Sequence, residues 1–249
     1  APVKNMKVSK AKARLMLQHP FFATLLLRTE VTITDQVELA ATDGERMYFN
    51  PDFLEQLSVE DTMAVMCHEV GHDSLLHSLR LGARNPDVWN MACDHAINLM
   101  LEDQKFACPK AVPGGWLADP KYKGMSADRI YDDLLRNPPP AGGGGKLGDG
   151  KPGKGQGAGS GRDWLHGDVL PSPSKTPEEQ AKAEQRAKQR VASAANMARM
   201  AGKLHGELAR MVDECLETKV HWTDVLRDHM LKVVKGRDSW ARRNRRFDK

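Results

Sequence analysis

The 249 residues suffice for one or two modest domains, and the region up to Arg136 is hydrophobic enough to form a core. The 37 Lys and Arg residues only slightly exceed the 33 Asp and Glu residues, so the net charge of +4 gives no general argument for nucleic-acid binding. No run of about 18 apolar residues exists, which excludes a membrane-spanning helix. The four cysteines are scattered without a CxxC pair, which predicts free thiols in a cytoplasmic protein.

The first elements predicted along the chain are a helix and a short antiparallel hairpin. Ser9–His19 should be helical, and Pro20 should stop that helix. Residues 37–41 alternate in polarity like a short strand, and Met47–Phe49 is a second short apolar run. Because Asp43-Gly44 between them is a strong turn signal, we expect a hairpin or small sheet just before the next long helix.

That next helix carries the motif His68-Glu69-Val70-Gly71-His72, an HExxH pattern. Ser58 and Asp61 form a capping-box pattern at its start, and apolar residues follow at helical spacing. Two histidines four apart lie about 40° from each other on a helix, so both imidazoles can bind one Zn²⁺. A glutamate between them can take a proton from water at the metal. The motif therefore predicts a zinc-dependent hydrolase, foremost a peptidase, with Glu69 as general base.

Catalytic zinc needs a third protein ligand, and His77 is the nearest candidate in sequence. Residues 73–76 contain no glycine that would break the helix, so His77 should lie about 180° around it from His68. We therefore expect His77 to be a polar neighbour of the ligands and not a ligand.

The following helix, residues 86–102, is a better source for the third ligand. Asn90, Asp94 and Asn98 are four residues apart and form one polar stripe. The stripe is either a solvent-facing edge or a functional one, in which Asp94 completes the zinc site and the two asparagines orient its neighbours. His95 lies about 100° further around the helix and is the alternative ligand.

The segment 103–125 contains prolines and glycines typical of a loop, and it is placed to wall a substrate cleft. A helix over Ser126–Arg136 should follow. Tyr131 on this helix is either a core residue or a donor to a tetrahedral oxyanion.

The rest of the chain divides into a linker and a helical region. Residues 137–175 are rich in Gly and Pro and predict a flexible linker or loop after a first domain of residues 1–136. Residues 176–249 should be helical and pack on that domain, with one helix from Thr176 to Glu217 and another over Trp222–Val234. The basic cluster at residues 242–246 lacks interleaved aromatics, so we expect a solvated tail and no nucleic-acid binding.

Several segments together resemble a metallopeptidase domain of bacterial and phage proteins that precedes a von Willebrand factor A-like domain. They are PFF (Pro20–Phe22), ATDGERMYFNPDF (Ala41–Phe53), MCHEVGH (Met66–His72) followed by HSLR, WNMACDHAIN (Trp89–Asn98), IYDDLL (Ile130–Leu135), HWTDVLRDHM (His221–Met230) and SWARRNRRF (Ser239–Phe247). The resemblance implies a zinc peptidase in which His68, Glu69 and His72 match the family motif and Asp94 matches its downstream acidic position. The Asp-x-Ser-x-Ser metal site of an A domain does not occur in this sequence.

These observations predict an α+β, mostly helical, zincin-like fold that binds Zn²⁺ and hydrolyses peptide bonds. An extended peptide would pair with the edge of the Arg46–Asn50 strand, unless the hairpin only covers the core. The partners of the protein would be a peptide or protein substrate, and an A-like domain or another protein. Two alternatives stay open: a zinc hydrolase acting on a non-peptide bond, and a non-catalytic interaction module of a larger assembly that keeps a metalloprotease-like fold.

Overall fold

The computed structural model describes residues 2–43, 46–112, 115–138 and 176–216, and the structural statements below concern these residues. In chain order the elements are α1 (Pro2–Gln18), α2 (Pro20–Leu26), β1 (Glu30–Ile33), β2 (Ala40–Thr42), β3 (Arg46–Phe49), α3 (Pro51–Gln56), α4 (Val59–Ser74), α5 (His77–Arg80), α6 (Pro86–Asp103), a 3-10 turn (Pro120–Tyr122), α7 (Ala127–Arg136), α8 (Pro177–Met200) and α9 (Gly206–Leu216). They lie within one compact unit, and the fold is mostly helical with a small sheet, in the α+β class. Within the described ranges, no helix combines the length and apolar character that crossing a membrane requires.

The sheet has three strands in the order β1-β3-β2. β3 pairs antiparallel with β2, with Ala41 opposite Tyr48, and parallel with β1, with Val31 opposite Met47. Because both edges of β3 are occupied, the prediction that the Arg46–Asn50 strand pairs with an extended peptide is wrong. Gly44 of the predicted turn lies outside the described residues.

Side-chain caps fix where the two helices of the predicted site begin. Ser58 Oγ accepts a hydrogen bond from the amide of Asp61 at 3.0 Å, and Asp61 Oδ2 accepts from the amide of Ser58, which completes the predicted capping box of α4. Asn85 Oδ1 accepts from the amides of Asp87 and Val88 at the start of α6. A fixed start sets which side chains of each helix face the other.

Gly71 allows α4 and α6 to approach closely at the level of the motif. A Cβ atom added at Gly71 would lie 3.1 Å from Cγ2 of Ile97, which is tighter than an ordinary contact. Ile97 is fully buried on α6. A glycine between Glu69 and His72 therefore brings the histidine helix near the face of α6 that carries Asp94.

Helix α4 ends at Ser74, and this ending differs from the predicted continuous helix. Leu76 has a φ of 58°, in the left-handed region, and α5 starts at His77. The chain therefore leaves the helical conformation of α4 at this point without a glycine. The expectation that His77 lies on the far side of α4 is wrong, because the helix that would have carried it there has already ended.

The predicted helix from Thr176 to Glu217 is wrong in its middle, where the structure has two helices. Thr176 forms a capping box with Glu179 at the start of α8. Gly202 and Gly206 have φ values of 65° and 62°, and they form the break between α8 and α9. Helix α8 packs on α2, and α9 packs on α6. The predicted helix over 222–234 and nearly all of the linker lie outside the described residues.

The two glycines of this break should tolerate alanine differently. A Cβ at Gly206 would overlap Oδ2 of Asp103, the oxygen that accepts from the amide of Glu207 and caps α9. Gly206→Ala should therefore lower the free energy of unfolding by about 2–3 kcal/mol, through left-handed strain and loss of the cap. Gly202→Ala meets no atom within 4 Å, so it should lose only about 1 kcal/mol from strain. Urea unfolding of both variants checks this, and equal losses would show that the Asp103 cap contributes nothing.

His19 should make the stability of the fold depend on pH. Its ring packs on Phe106 with centroids 4.4 Å apart. Burial, and then the charge of Lys203, lower the pKa of His19 from 6.5 to about 4. As the pH falls, His19 therefore takes up a proton in the unfolded chain before it does so in the folded one. The stability that neutral, buried His19 contributes is complete above about pH 6.5 and is lost as the pH falls towards about 4.

A His19→Phe variant keeps an aromatic ring but cannot titrate. Its urea midpoint should fall less than that of the unmodified protein between about pH 7 and about pH 4.5. Parallel curves for the unmodified protein and the His19→Phe variant would contradict the prediction.

Candidate metal centre

One group of His, Cys, Asp and Glu side chains in the described part of the chain is placed to hold a metal ion: His68 and His72 of α4 with Asp94 of α6. The Nε2 atoms of His68 and His72 are 3.0 Å apart. Oδ1 of Asp94 lies 3.3 Å from Nε2 of His72 and 3.7 Å from Nε2 of His68. The two histidines of the motif and the predicted downstream carboxylate thus each place one potential ligand atom within 3.7 Å of the other two.

The charge state of this cluster suits a cation. Burial raises the pKa of Asp94 to about 6, while the neighbouring charge of His68 acts in the opposite direction. Burial lowers the pKa of His68 to about 4 and that of His72 to about 3, so both rings are neutral at pH 7 and have a lone pair to offer. Both carboxylate oxygens of Asp94 are buried without a hydrogen-bond partner among the described residues. A buried carboxylate in that situation is costly unless a cation compensates it.

Asn98 orients His68 through a defined hydrogen bond. Nδ2 of Asn98 donates to the carbonyl of Leu117 at 3.2 Å, which fixes which end of the amide carries the oxygen. Oδ1 of Asn98 then lies 2.8 Å from Nδ1 of His68 and must accept its proton. Nε2 of His68 is therefore left unprotonated, and this is the atom that faces His72 and Asp94.

The polar stripe on α6 is buried, so the alternative of a solvent-facing edge is wrong. Asp94 and Asn98 have no exposed surface, and Asn90 is 8% exposed. The apolar neighbourhood is why these side chains hydrogen-bond or cluster inside the protein instead of with water. Glu69, only 2% exposed, lies between the two histidines on α4.

His77 lies behind His72 and does not belong to the metal-type cluster. Its Nδ1 atom is 3.2 Å from Nδ1 of His72, on the ring edge opposite to the one that faces Asp94. The backbone turn at Leu76 brings it there. It is fully buried, and its pKa lies well below the ordinary value of 6.5, first because of burial and then because of the charges of His72, Arg80 and His68.

Two further predicted site residues lie away from the cluster. His95, the alternative ligand, accepts a hydrogen bond at Nδ1 from the amide of Asp119 and packs on the ring of Tyr122. The hydroxyl of Tyr131 accepts from the amide of Asn85, which lies nine residues before Asp94, or about 14 Å along α6. The Tyr131 hydroxyl therefore lies at the start of α6.

The sequence did not indicate two residues that hold the neighbours of the cluster in place. Trp89 donates from Nε1 to the carbonyl of His77 at 2.9 Å, and Leu117 supplies the carbonyl that orients Asn98. Trp89 lies five residues before Asp94, about 140° around α6, so its spacing along the helix did not indicate a place near the site. Leu117 contributes only its backbone carbonyl to this contact, so no side-chain pattern could have indicated it.

The fold and the cluster define a mostly helical protein with a His-His-Asp candidate metal centre built on an HExxH helix. The chain belongs to the family described as "Putative metallopeptidase domain", whose model matches residues 3–248. This confirms the resemblance inferred from the sequence segments. No curated protein and no solved structure matches the chain.

Proposed function

We propose that this chain is a zinc-dependent peptidase of zincin-like design, with His68, His72 and Asp94 as zinc ligands and Glu69 as general base. The observation that carries the proposal is the meeting of the Nε2 atoms of His68 and His72 with an oxygen of Asp94, on an HExxH helix whose glutamate is buried. The family description supports the same class of protein.

The cluster fits zinc in ligand type, number and spacing. Zinc binds imidazole nitrogen and carboxylate oxygen, and catalytic sites use three protein ligands so that one position stays open. Ligands about 2.0–2.2 Å from a tetrahedral ion lie about 3.3–3.6 Å from one another. The distances of 3.0, 3.3 and 3.7 Å among the three atoms bracket that spacing.

In the proposed reaction, zinc supplies a Lewis acid that polarises the peptide carbonyl and makes water acidic enough to attack near neutral pH. Glu69 takes the proton of the attacking water and returns it to the leaving amine. Its burial strengthens these electrostatic interactions because little water competes for them. Asn98 keeps the proton of His68 on Nδ1, so that Nε2 stays available.

Substrate would approach from the side of His68. The His68 side chain is 9% exposed, whereas those of His72 and Asp94 have no exposed surface. The half-buried segment 115–119 lies on this side, fastened to α6 by Asn98 at Leu117 and by His95 at Asp119. We propose that this segment is the cleft wall expected from the sequence.

The direct test is metal content together with hydrolysis. Protein purified without chelator should contain about one zinc ion per chain by elemental analysis. It should cleave an unfolded protein substrate, lose that activity to a chelator, and regain it with Zn²⁺. Zinc without hydrolysis of any peptide would favour the interaction module, and hydrolysis that survives removal of the metal would overturn the mechanism.

A further inference from the structure

The turn after α4 places a third histidine against the back of His72. Leu76 adopts the left-handed conformation that residues other than glycine rarely take, and it lies between the end of α4 and the start of α5. The His77 ring then returns to α4, with its centroid 5.2 Å from that of His72. The two Nδ1 atoms face each other at 3.2 Å, which is hydrogen-bonding distance.

The position of His77 is fixed at both its backbone and its ring. Nε1 of Trp89 donates to the carbonyl of His77, and the two rings pack edge to face with centroids 5.8 Å apart. The guanidinium of Arg84 lies over the Trp89 ring at 4.6 Å. Asp128 in turn pairs with Arg84 at 3.0 Å. His77 therefore has little freedom to move away from His72.

We propose that His77 is a positioning residue that accepts the Nδ1 proton of His72 and so holds Nε2 of His72 ready for the metal. This inference rests on the proposed zinc site. A histidine that binds a metal through Nε2 must carry its proton on Nδ1, and another group usually accepts that proton. Asn98 does this for His68, and the atom that faces Nδ1 of His72 is Nδ1 of His77.

The assignment also settles the tautomer of His77. If Nδ1 of His77 accepts, its own proton must sit on Nε2. That Nε2 atom is buried and has no hydrogen-bond partner in the described part of the chain. An apolar ring would fill the same space without burying an unpaired donor, so packing alone gives no reason for a histidine here. The reverse tautomer would put the His72 proton on Nε2 and remove a ligand.

The usual acceptor behind a metal-binding histidine is a carboxylate or a backbone carbonyl. A neutral imidazole in that place adds no negative charge to a site where Asp94 is already buried. The His77 imidazole still holds the ring of His72 in place, so that Nε2 of His72 stays directed at the metal position.

The test compares His77→Phe, which keeps a ring without an acceptor, with His77→Gln, which keeps an acceptor. Zn²⁺ is titrated into metal-free protein against a chromophoric chelator, and the absorption spectrum of the Co²⁺-loaded protein reports ligand geometry. His77→Phe should bind Zn²⁺ about 10–100-fold more weakly and shift the Co²⁺ spectrum. His77→Gln should recover most of the affinity. Leu54→Ala in α3, a fully buried position outside the helices of the site, controls for lost stability and should leave the affinity unchanged.

Nitrogen-15 NMR of the imidazoles gives a direct measure of the tautomers. In the Zn²⁺-loaded protein His72 should carry its proton on Nδ1 and His77 on Nε2. Unchanged Zn²⁺ affinity and Co²⁺ spectrum in His77→Phe, or a proton on Nδ1 of His77, would overturn the inference and leave the zinc site standing. Failure of the unmodified protein to bind either metal would overturn both.

Discussion

Replacing Glu69 by glutamine should lower kcat/KM for peptide hydrolysis by about 10²–10⁴-fold, the usual contribution of a general acid or base. Glutamine keeps the size of the buried side chain but cannot take a proton from water. Zinc content should stay at the level of the unmodified protein, because Glu69 is not among the clustered ligand atoms. Steady-state kinetics and elemental analysis on the same preparation measure both quantities.

The matched control is Glu60→Gln, an exposed position in the first turn of the same helix. It makes the same chemical change without touching the motif and should leave kcat/KM unchanged. If Glu69→Gln hydrolyses an unfolded substrate as fast as the unmodified protein does, Glu69 is not the base and the mechanism is wrong.

Local sequence patterns were enough to predict where α4 and α6 begin and which of their side chains come together. Ser58 with Asp61, and Pro86 after Asn85, mark helix starts by capping rules that act within one turn. Spacing by four residues then aligns the polar side chains of each helix on one face. The polar stripe on α6 is buried, and one Asp94 oxygen of it lies 3.3 Å from Nε2 of His72 and 3.7 Å from Nε2 of His68.

The turn at Leu76 could not be predicted, because local propensity argues against it. Nothing between Asp73 and Leu76 breaks a helix, and a left-handed leucine is unfavourable by about 1–2 kcal/mol. Tertiary contacts offset that strain: Leu76 is buried, and Trp89 hydrogen-bonds the carbonyl of His77. These partners are distant in sequence, so the position of His77 depended on the folded structure.

In the sheet too, the strands could be predicted from local sequence, but their pairing could not. Alternating polarity indicated two short strands around residues 37–49, and an antiparallel pair lies there. The parallel partner β1 comes from earlier in the chain, and alternation alone does not say which strands are neighbours. That pairing occupies an edge of β3, the strand for which the sequence predicts a bound peptide.

Replacing Asp94 by asparagine should affect stability differently with and without zinc, because this carboxylate would bind the metal but is a buried charge when metal is absent. Saturating the unmodified protein with Zn²⁺ at about 100 times its Kd should raise the free energy of unfolding by about 2.7 kcal/mol. Asp94→Asn removes a charged ligand and should lose nearly all of that gain at the same Zn²⁺ concentration. Urea unfolding with Zn²⁺ and with a chelator measures the difference for each protein.

Without metal, the unmodified protein should no longer be more stable than Asp94→Asn. The Asp94 carboxylate is fully buried, and neither oxygen has a hydrogen-bond partner among the described residues, so its negative charge opposes folding until a cation binds. Asparagine removes that charge, and metal-free Asp94→Asn should be at least as stable as the metal-free unmodified protein. Asp87→Asn, an exposed change on the same helix, should gain as much stability from Zn²⁺ as the unmodified protein does. A variant Asp94→Asn that zinc still stabilises fully would show that this carboxylate is not a ligand, whereas a large loss of stability without metal would show that it is bound by the fold itself.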